Sequence, residues 1–207
     1  MKNYLTELIG TFFLVLVVGL TGNPIAIGST LMVMVYMGGH ISGGHYNPAV
    51  TLAVMLRKKI EMKEALIYML FQLLGAILAA LTYYIIFATT FAPHPESGFH
   101  NNIKPLLVEI IFTFALASVV LNVATSKKTA GNSYYGLAIG FTVLAAAFAG
   151  GPISGGAFNP AVGTGPILVD TIMGGHSIGN LWIYLLGPFT GGALAAMVYK
   201  FVNPDEF

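Results

Sequence analysis

Two stretches decide how this chain reads: Gly39-His40-Ile41-Ser42-Gly43-Gly44-His45-Tyr46-Asn47-Pro48-Ala49-Val50-Thr51 and Ile153-Ser154-Gly155-Gly156-Ala157-Phe158-Asn159-Pro160-Ala161. Each is a glycine-rich run that ends in Asn-Pro-Ala and opens a further apolar piece. Asparagine is a favoured N-cap and proline a favoured first helical residue, so Asn-Pro reads as a helix start. Hydrocarbon penalises exposed backbone donors, so a helix start within apolar sequence calls for a cavity lined by protein or filled with water. The most direct reason for two such starts is a pore.

The sequence around these runs belongs in a membrane. Of 207 residues, 56% are hydrophobic and 8% charged, and the mean hydropathy is +0.80. Soluble domains carry roughly 25% charged residues. The 25 glycines and 10 prolines are compatible with membrane helices whose neighbours satisfy the backbone. A net charge of +1 without a basic arm argues against nucleic acid as a partner. The absence of cysteine removes disulfides, thiol catalysis and thiolate metal sites. The N-terminal apolar run has no small-residue cleavage site and five apolar segments follow it, so it reads as a retained first span.

Six segments are expected to cross, near residues 4–21, 24–39, 62–89, 104–125, 133–150 and 178–201. A span needs ~20 apolar residues, which makes the second and fifth short. The pieces 47–56 and 159–169 that come after them are shorter still. At ~1.5 Å per residue, ten residues cover about half the hydrocarbon. They read as re-entrant half-helices. With six crossings and two such dips, Lys2, Arg57, Lys58, Lys59, Lys63, Lys127, Lys128 and Lys200 share one side and Lys104 alone takes the other. The positive-inside rule then places both termini in the cytoplasm. Eight full crossings would split the cluster Arg57-Lys58-Lys59 from Lys2.

The chain reads as one channel domain over 1–207, built from repeats of about 1–100 and 101–207. Glu7-Leu8-Ile9-Gly10-Thr11-Phe12 answers to Glu109-Ile110-Ile111-Phe112-Thr113-Phe114, and Ala26-Ile27-Gly28 to Ala138-Ile139-Gly140. Gly75 through Ala80 answers to Gly191 through Ala196. Three crossings per half invert the second repeat, and inverted repeats with broken helices meet at a midplane site. There Asn47 and Asn159 would cap two opposed half-helices, each end contributing roughly +0.5 charge. That spot disfavours protons and metal cations but admits neutral molecules. The asparagine amides would donate to a passing oxygen, and glycine runs in extended chain would present carbonyl acceptors.

These features resemble the aquaporin and aquaglyceroporin (major intrinsic protein) family over essentially the whole chain: the two Asn-Pro-Ala motifs (Asn47, Pro48, Ala49; Asn159, Pro160, Ala161), their glycine runs, and Glu-x-x-x-Thr in spans one and four. The resemblance implies an all-α membrane protein of six transmembrane helices, two re-entrant half-helices and an inverted repeat. It also implies a homotetramer with one pore per subunit. The carbonyls of Gly43, Gly44, His45, Gly155, Gly156 and Ala157 would line the two vestibules. By spacing from the motifs, the family's constriction falls on Ile27, Ala147, Gly156 and Val162. The family usually has arginine at the last of these and strict water channels place phenylalanine and histidine at the first two, so this mouth is expected to be wide, aliphatic and uncharged. Water with glycerol, urea or undissociated metalloid acids such as arsenious acid is the expected cargo. Gly163 departs from the aspartate of glycerol facilitators, and Tyr184-Leu185 is half like each subgroup. Without the arginine, cation exclusion would rest on the central dipoles.

Glu7 and Glu109 lie within apolar spans, where a charge costs at least ~2.5 kcal/mol. They read as structural acids that accept from re-entrant amides, or, as the competing reading, as proton relays of an ion-coupled transporter. A water-selective aquaporin is the nearer alternative. No nucleophile–base–orienter set is present, so no enzyme is expected, nor any cofactor or metal. His40 reads as an anchor of the first glycine run and His45 as a pore-wall or gating residue. Residues 90–102 and His176 read as solvated outer loops. Short termini and the lack of glycosylation sequons lean toward the plasma (inner) membrane of a prokaryote.

Overall fold

A computed structural model describes residues 1–95 and 103–206. Its helices are α1 (Lys2–Thr21), α2 (Pro24–Ser42), α3 (Pro48–Leu56), α4 (Met62–Phe87), α5 (Ile103–Val120), α6 (Tyr135–Ser154), α7 (Pro160–Ile172) and α8 (Leu181–Val202). A π turn, Leu121–Thr125, extends α5. Six of these segments are long and apolar enough to cross a membrane, whereas α3 and α7, at 9 and 13 residues, are not. The face of the bundle that carries residues 2 and 206 is termed inner, and the face at the end of α1 is termed outer.

Two expectations need correction. The second and fifth spans are not short: α2 and α6 continue to Ser42 and Ser154 and reach 19 and 20 residues. Helical Gly38 and Gly39 sit where close packing favours a bare backbone, since a Cβ on Gly38 would strike the Tyr46 hydroxyl and Thr6. Left-handed Gly43 and Gly155 end these helices, with φ of 94° and 89°. Nor are the glycine runs extended. Gly44 and Gly156 are also left-handed, and so are Tyr46 and Phe158, each at φ 49°.

Small residues bring the helices together. Gly28 and Gly140 face each other where α2 crosses α6, and a Cβ on either would fall within 2.7 Å of the other's carbonyl oxygen. Gly75 of α4 lies against the carbonyl of Leu8 in α1, and Gly191 of α8 against that of Ile110 in α5. The half-helices cross over between repeats: Gly192 of α8 packs on Ala49 of α3, and Gly165 of α7 on Ala76 of α4. Such close approach is how membrane helices associate without a hydrophobic drive between them. Leu66, Leu70, Leu74 and Leu78 make an exposed stripe along α4, while Glu7, Gln72, Thr51, Asn47, Glu109 and Asn159 are buried. Apolar outside and polar inside is the arrangement a bilayer requires.

Candidate pore

The site begins with two strained residues. A left-handed backbone is unfavourable for bulky side chains, and here Tyr46 and Phe158 are held in it from both ends. The N–H of Tyr46 donates to Glu7 Oε2 at 2.7 Å, and its carbonyl accepts from Asn159 Nδ2 at 2.9 Å. The N–H of Phe158 donates to Glu109 Oε2 at 2.6 Å, and its carbonyl accepts from Asn47 Nδ2 at 3.0 Å. Each asparagine thus reaches across to the opposite repeat. Its Oδ1 meanwhile caps its own half-helix, Asn47 accepting from Ala49 and Val50, and Asn159 from Ala161. An amide NH2 carries two hydrogens. One ties the halves together and the other is left for the cavity that both side chains line.

The two carboxylates hold the loops. Glu7 Oε1 accepts from Ser42 Oγ at 2.6 Å and the His45 N–H at 3.0 Å, and Oε2 also accepts from Gln72 Nε2 at 2.8 Å. Glu109 Oε1 accepts from Ser154 Oγ at 2.7 Å and the Ala157 N–H at 3.0 Å. The Tyr68 and Tyr184 hydroxyls donate to the carbonyls of Ser42 and Ser154. Gln72 is the difference between the repeats, because Pro188 stands at its place in α8. Sequence reading missed Gln72 and Thr51. A lone amide three residues before Gly75, in an otherwise apolar span, was the available signal.

Gln72 and Thr51 also set the tautomer of His45. A carboxylate only accepts, so the Gln72 NH2 points at Glu7 and at Thr51 Oγ1, 2.9 Å away. The Thr51 hydroxyl spends its one proton on the Asn47 carbonyl at 3.0 Å. His45 Nδ1, 3.1 Å from Thr51 Oγ1, is therefore the donor, and Nε2 is an open acceptor.

Between the repeats lies a central cavity with about 30 Å³ of room for water centres, against about 540 and 690 Å³ in the inner and outer vestibules. A water needs roughly 10–15 Å³ by this measure, so the centre has room for a short file and no more. One side of it is aliphatic, with Leu14, Leu31, Leu116 and Ile139 among its residues, and the other is the polar strip Gly44, His45, Asn47, Gly156, Ala157, Phe158 and Asn159. His45 and Val120 are shared with the inner vestibule, and Val18 and Val162 with the outer one. These pairs mark the two necks.

Of the four positions expected at a constriction, Ile27, Gly156 and Val162 line the central cavity. Ala147 is not among its lining residues; Val143, one turn earlier on α6, is. Gly43 lines the inner vestibule and Gly155 the outer. His40 is exposed at the end of α2, and among the described residues its ring makes no hydrogen bond to the glycine run; Ser42 Oγ accepts from the Gly44 N–H instead. His176 is exposed. The described part of the outer loop is solvated only in part: His94 is exposed, whereas Pro93 is buried and Thr90 Oγ1 donates to Asp170 at 2.5 Å. The Ser177 and Thr90 hydroxyls hold the Asp170 carboxyl below its usual range. Glu96 and His100 lie outside the described residues.

The family model described as "Major intrinsic protein" matches residues 1–199. The chain is 34% identical to a "Probable aquaporin NIP-type" of Nicotiana alata, over 100% of this chain and 79% of that protein. It is 35% identical to nodulin-26 of Glycine max, over 98% and 78%. Its fold matches the aquaglyceroporin from Plasmodium falciparum with a TM-score of 0.86 and 22% identity, covering 99% of this chain and 98% of that one. Both sequence relatives are plant proteins, so the expectation of a prokaryotic membrane has no support from them.

Proposed function

The chain belongs to the major intrinsic protein family, and on that premise we propose that it is a passive channel whose arginine-less outer neck admits small neutral solutes as well as water. The observation that carries this is Val162. With Val18 it lies at the junction of central cavity and outer vestibule, where a fixed cation would narrow the path. Glycerol, urea and arsenious acid are the solutes proposed. The motif asparagines, with one amide hydrogen each facing the cavity, are the central donors, and the carbonyls of the polar strip are the acceptors. Opposed helix N-termini at Asn47 and Asn159 disfavour cations there.

Coupled transport is disfavoured because each glutamate is occupied by neutral donors, four on Glu7 and three on Glu109. The proposal includes a homotetramer and cytoplasmic termini, the latter from the lysine and arginine distribution. Water selectivity is the second reading, favoured by the small, largely aliphatic central cavity.

Osmotic shrinkage of proteoliposomes, comparing water, glycerol, urea and arsenious acid, separates the two. Uptake of at least one solute larger than water is expected. Val162→Arg should then cut that solute by roughly tenfold, ~1.4 kcal/mol of barrier, and water by less. Equal losses would sink the wide-neck reading.

A further inference from the structure

The outer vestibule has a second wall, made by the loop after α4. Three contacts fix that loop. Thr90 is bound to Asp170, and the Phe91 ring packs against Gly19 and lies 4.7 Å from that of Tyr83. The backbone of His94 rests on left-handed Gly155, where a Cβ would come within 2.7 Å of the His94 nitrogen and 2.8 Å of its oxygen. The loop is thus held by backbone and by neighbouring residues, and the His94 side chain stays exposed. It lines the outer vestibule together with Val162, Gly155 and Pro152. Among the described residues that line this vestibule, His94 is the one ionisable side chain.

The ring has a defined tautomer. His94 Nδ1 lies 3.3 Å from the Ala92 carbonyl oxygen. A carbonyl only accepts, so Nδ1 carries a proton, and in the neutral ring Nε2 is left as an acceptor. His45 at the inner neck presents the same arrangement.

Building on the solute-channel reading, we propose that His94 is the specificity-determining side chain of the outer mouth, and that it accepts hydrogen bonds from the donor groups of entering solutes. An arginine at position 162 would offer donors alone. This mouth offers an imidazole acceptor above an aliphatic neck. It therefore suits solutes rich in O–H or N–H groups, such as polyols, urea and undissociated metalloid hydroxides, which exchange a hydration bond for one to Nε2 as they shed water at Val18 and Val162.

The test measures glycerol, urea and water permeability of the full-length protein in proteoliposomes. His94→Ala should lower the glycerol-to-water and urea-to-water ratios by roughly 2- to 10-fold, the span of one ordinary hydrogen bond. Water permeability should hold, which also reports that the channel is folded. His94→Gln keeps an acceptor and should restore most of the ratio. His176→Ala, at an exposed site on the other outer loop, should leave it alone. An unchanged ratio in His94→Ala, or a ratio that Gln does not rescue, overturns the assignment of His94 while the solute channel stands. Passage of water alone by the native protein overturns the solute-channel reading and this assignment with it.

Discussion

A glutamine at position 7 would keep one acceptor oxygen and turn an NH2 toward two groups that themselves donate. Whichever way the amide is placed, two of the four bonds to residue 7 are lost: those from Ser42 Oγ and the His45 N–H, or those from the Tyr46 N–H and Gln72 Nε2. At Glu109 the amide can be turned so that only the Phe158 N–H is lost. A buried unpaired donor costs ~1–3 kcal/mol. Glu7→Gln should therefore lower the Tm of the detergent-solubilised protein more than Glu109→Gln does. Combining each with Gln72→Met should narrow the gap, and equal shifts in the two single variants would count against the four-to-three difference. Both glutamates were conspicuous in the sequence, because an acid in an apolar span demands partners. Gln72 and Thr51 were not, because an amide or a hydroxyl in a span can be satisfied by its own helix.

Helix contacts carry the next level. Gly28 and Gly140 allow α2 and α6 to cross with backbones touching, and a methyl group at position 28 would fall 2.6 Å from Leu144 Cβ and 2.7 Å from the Gly140 carbonyl oxygen. Gly28→Ala should cost ~1–3 kcal/mol through overpacking. Gly179→Ala, where a Cβ meets nothing within 4 Å, should stay within about 0.5 kcal/mol. Thermal unfolding monitored by circular dichroism compares the two; a neutral Gly28→Ala would mean that the crossing is loose. The existence of all eight helices was legible from hydropathy and from Asn-Pro. Their ends were less so. Gly38 and Gly39 look like a stop, yet α2 runs through them because the space beside them is filled by Tyr46 and Tyr135, and only the left-handed turn at Gly43 ends it.

Across the whole molecule, one inner-face cluster joins segments far apart in sequence. Arg57, 2% exposed at the end of α3, pairs with the Glu206 carboxylate at 2.9 Å and stacks 4.9 Å from the Tyr199 ring centroid. Hydrogen bonds from Tyr199, then Ser126, the Lys127 N–H and Arg57, hold the Glu206 carboxyl down to about 2, against an ordinary 4.5. A depressed carboxylate stabilises the folded form fully above its unfolded value. That contribution should be present above about pH 4.5 and disappear as pH falls toward 2. A pH series of Tm should show this acid limb, and Glu206→Gln should flatten it; an unaltered limb would place the acid sensitivity elsewhere. The membrane class, the six spans, the two half-helices and the inverted repeat can all be read from the chain, because hydropathy, helix capping and charge placement act locally or along one helix. Folding in three dimensions was needed to tie the asparagines to opposite repeats, to place Val18 and Val162 together at the outer neck, and to bring His94 into the same vestibule on a loop. These residues stand about 70 to 140 positions apart and are brought together by glycine packing and by bonds to buried acids, and no periodicity in a chain encodes which distant surfaces will meet.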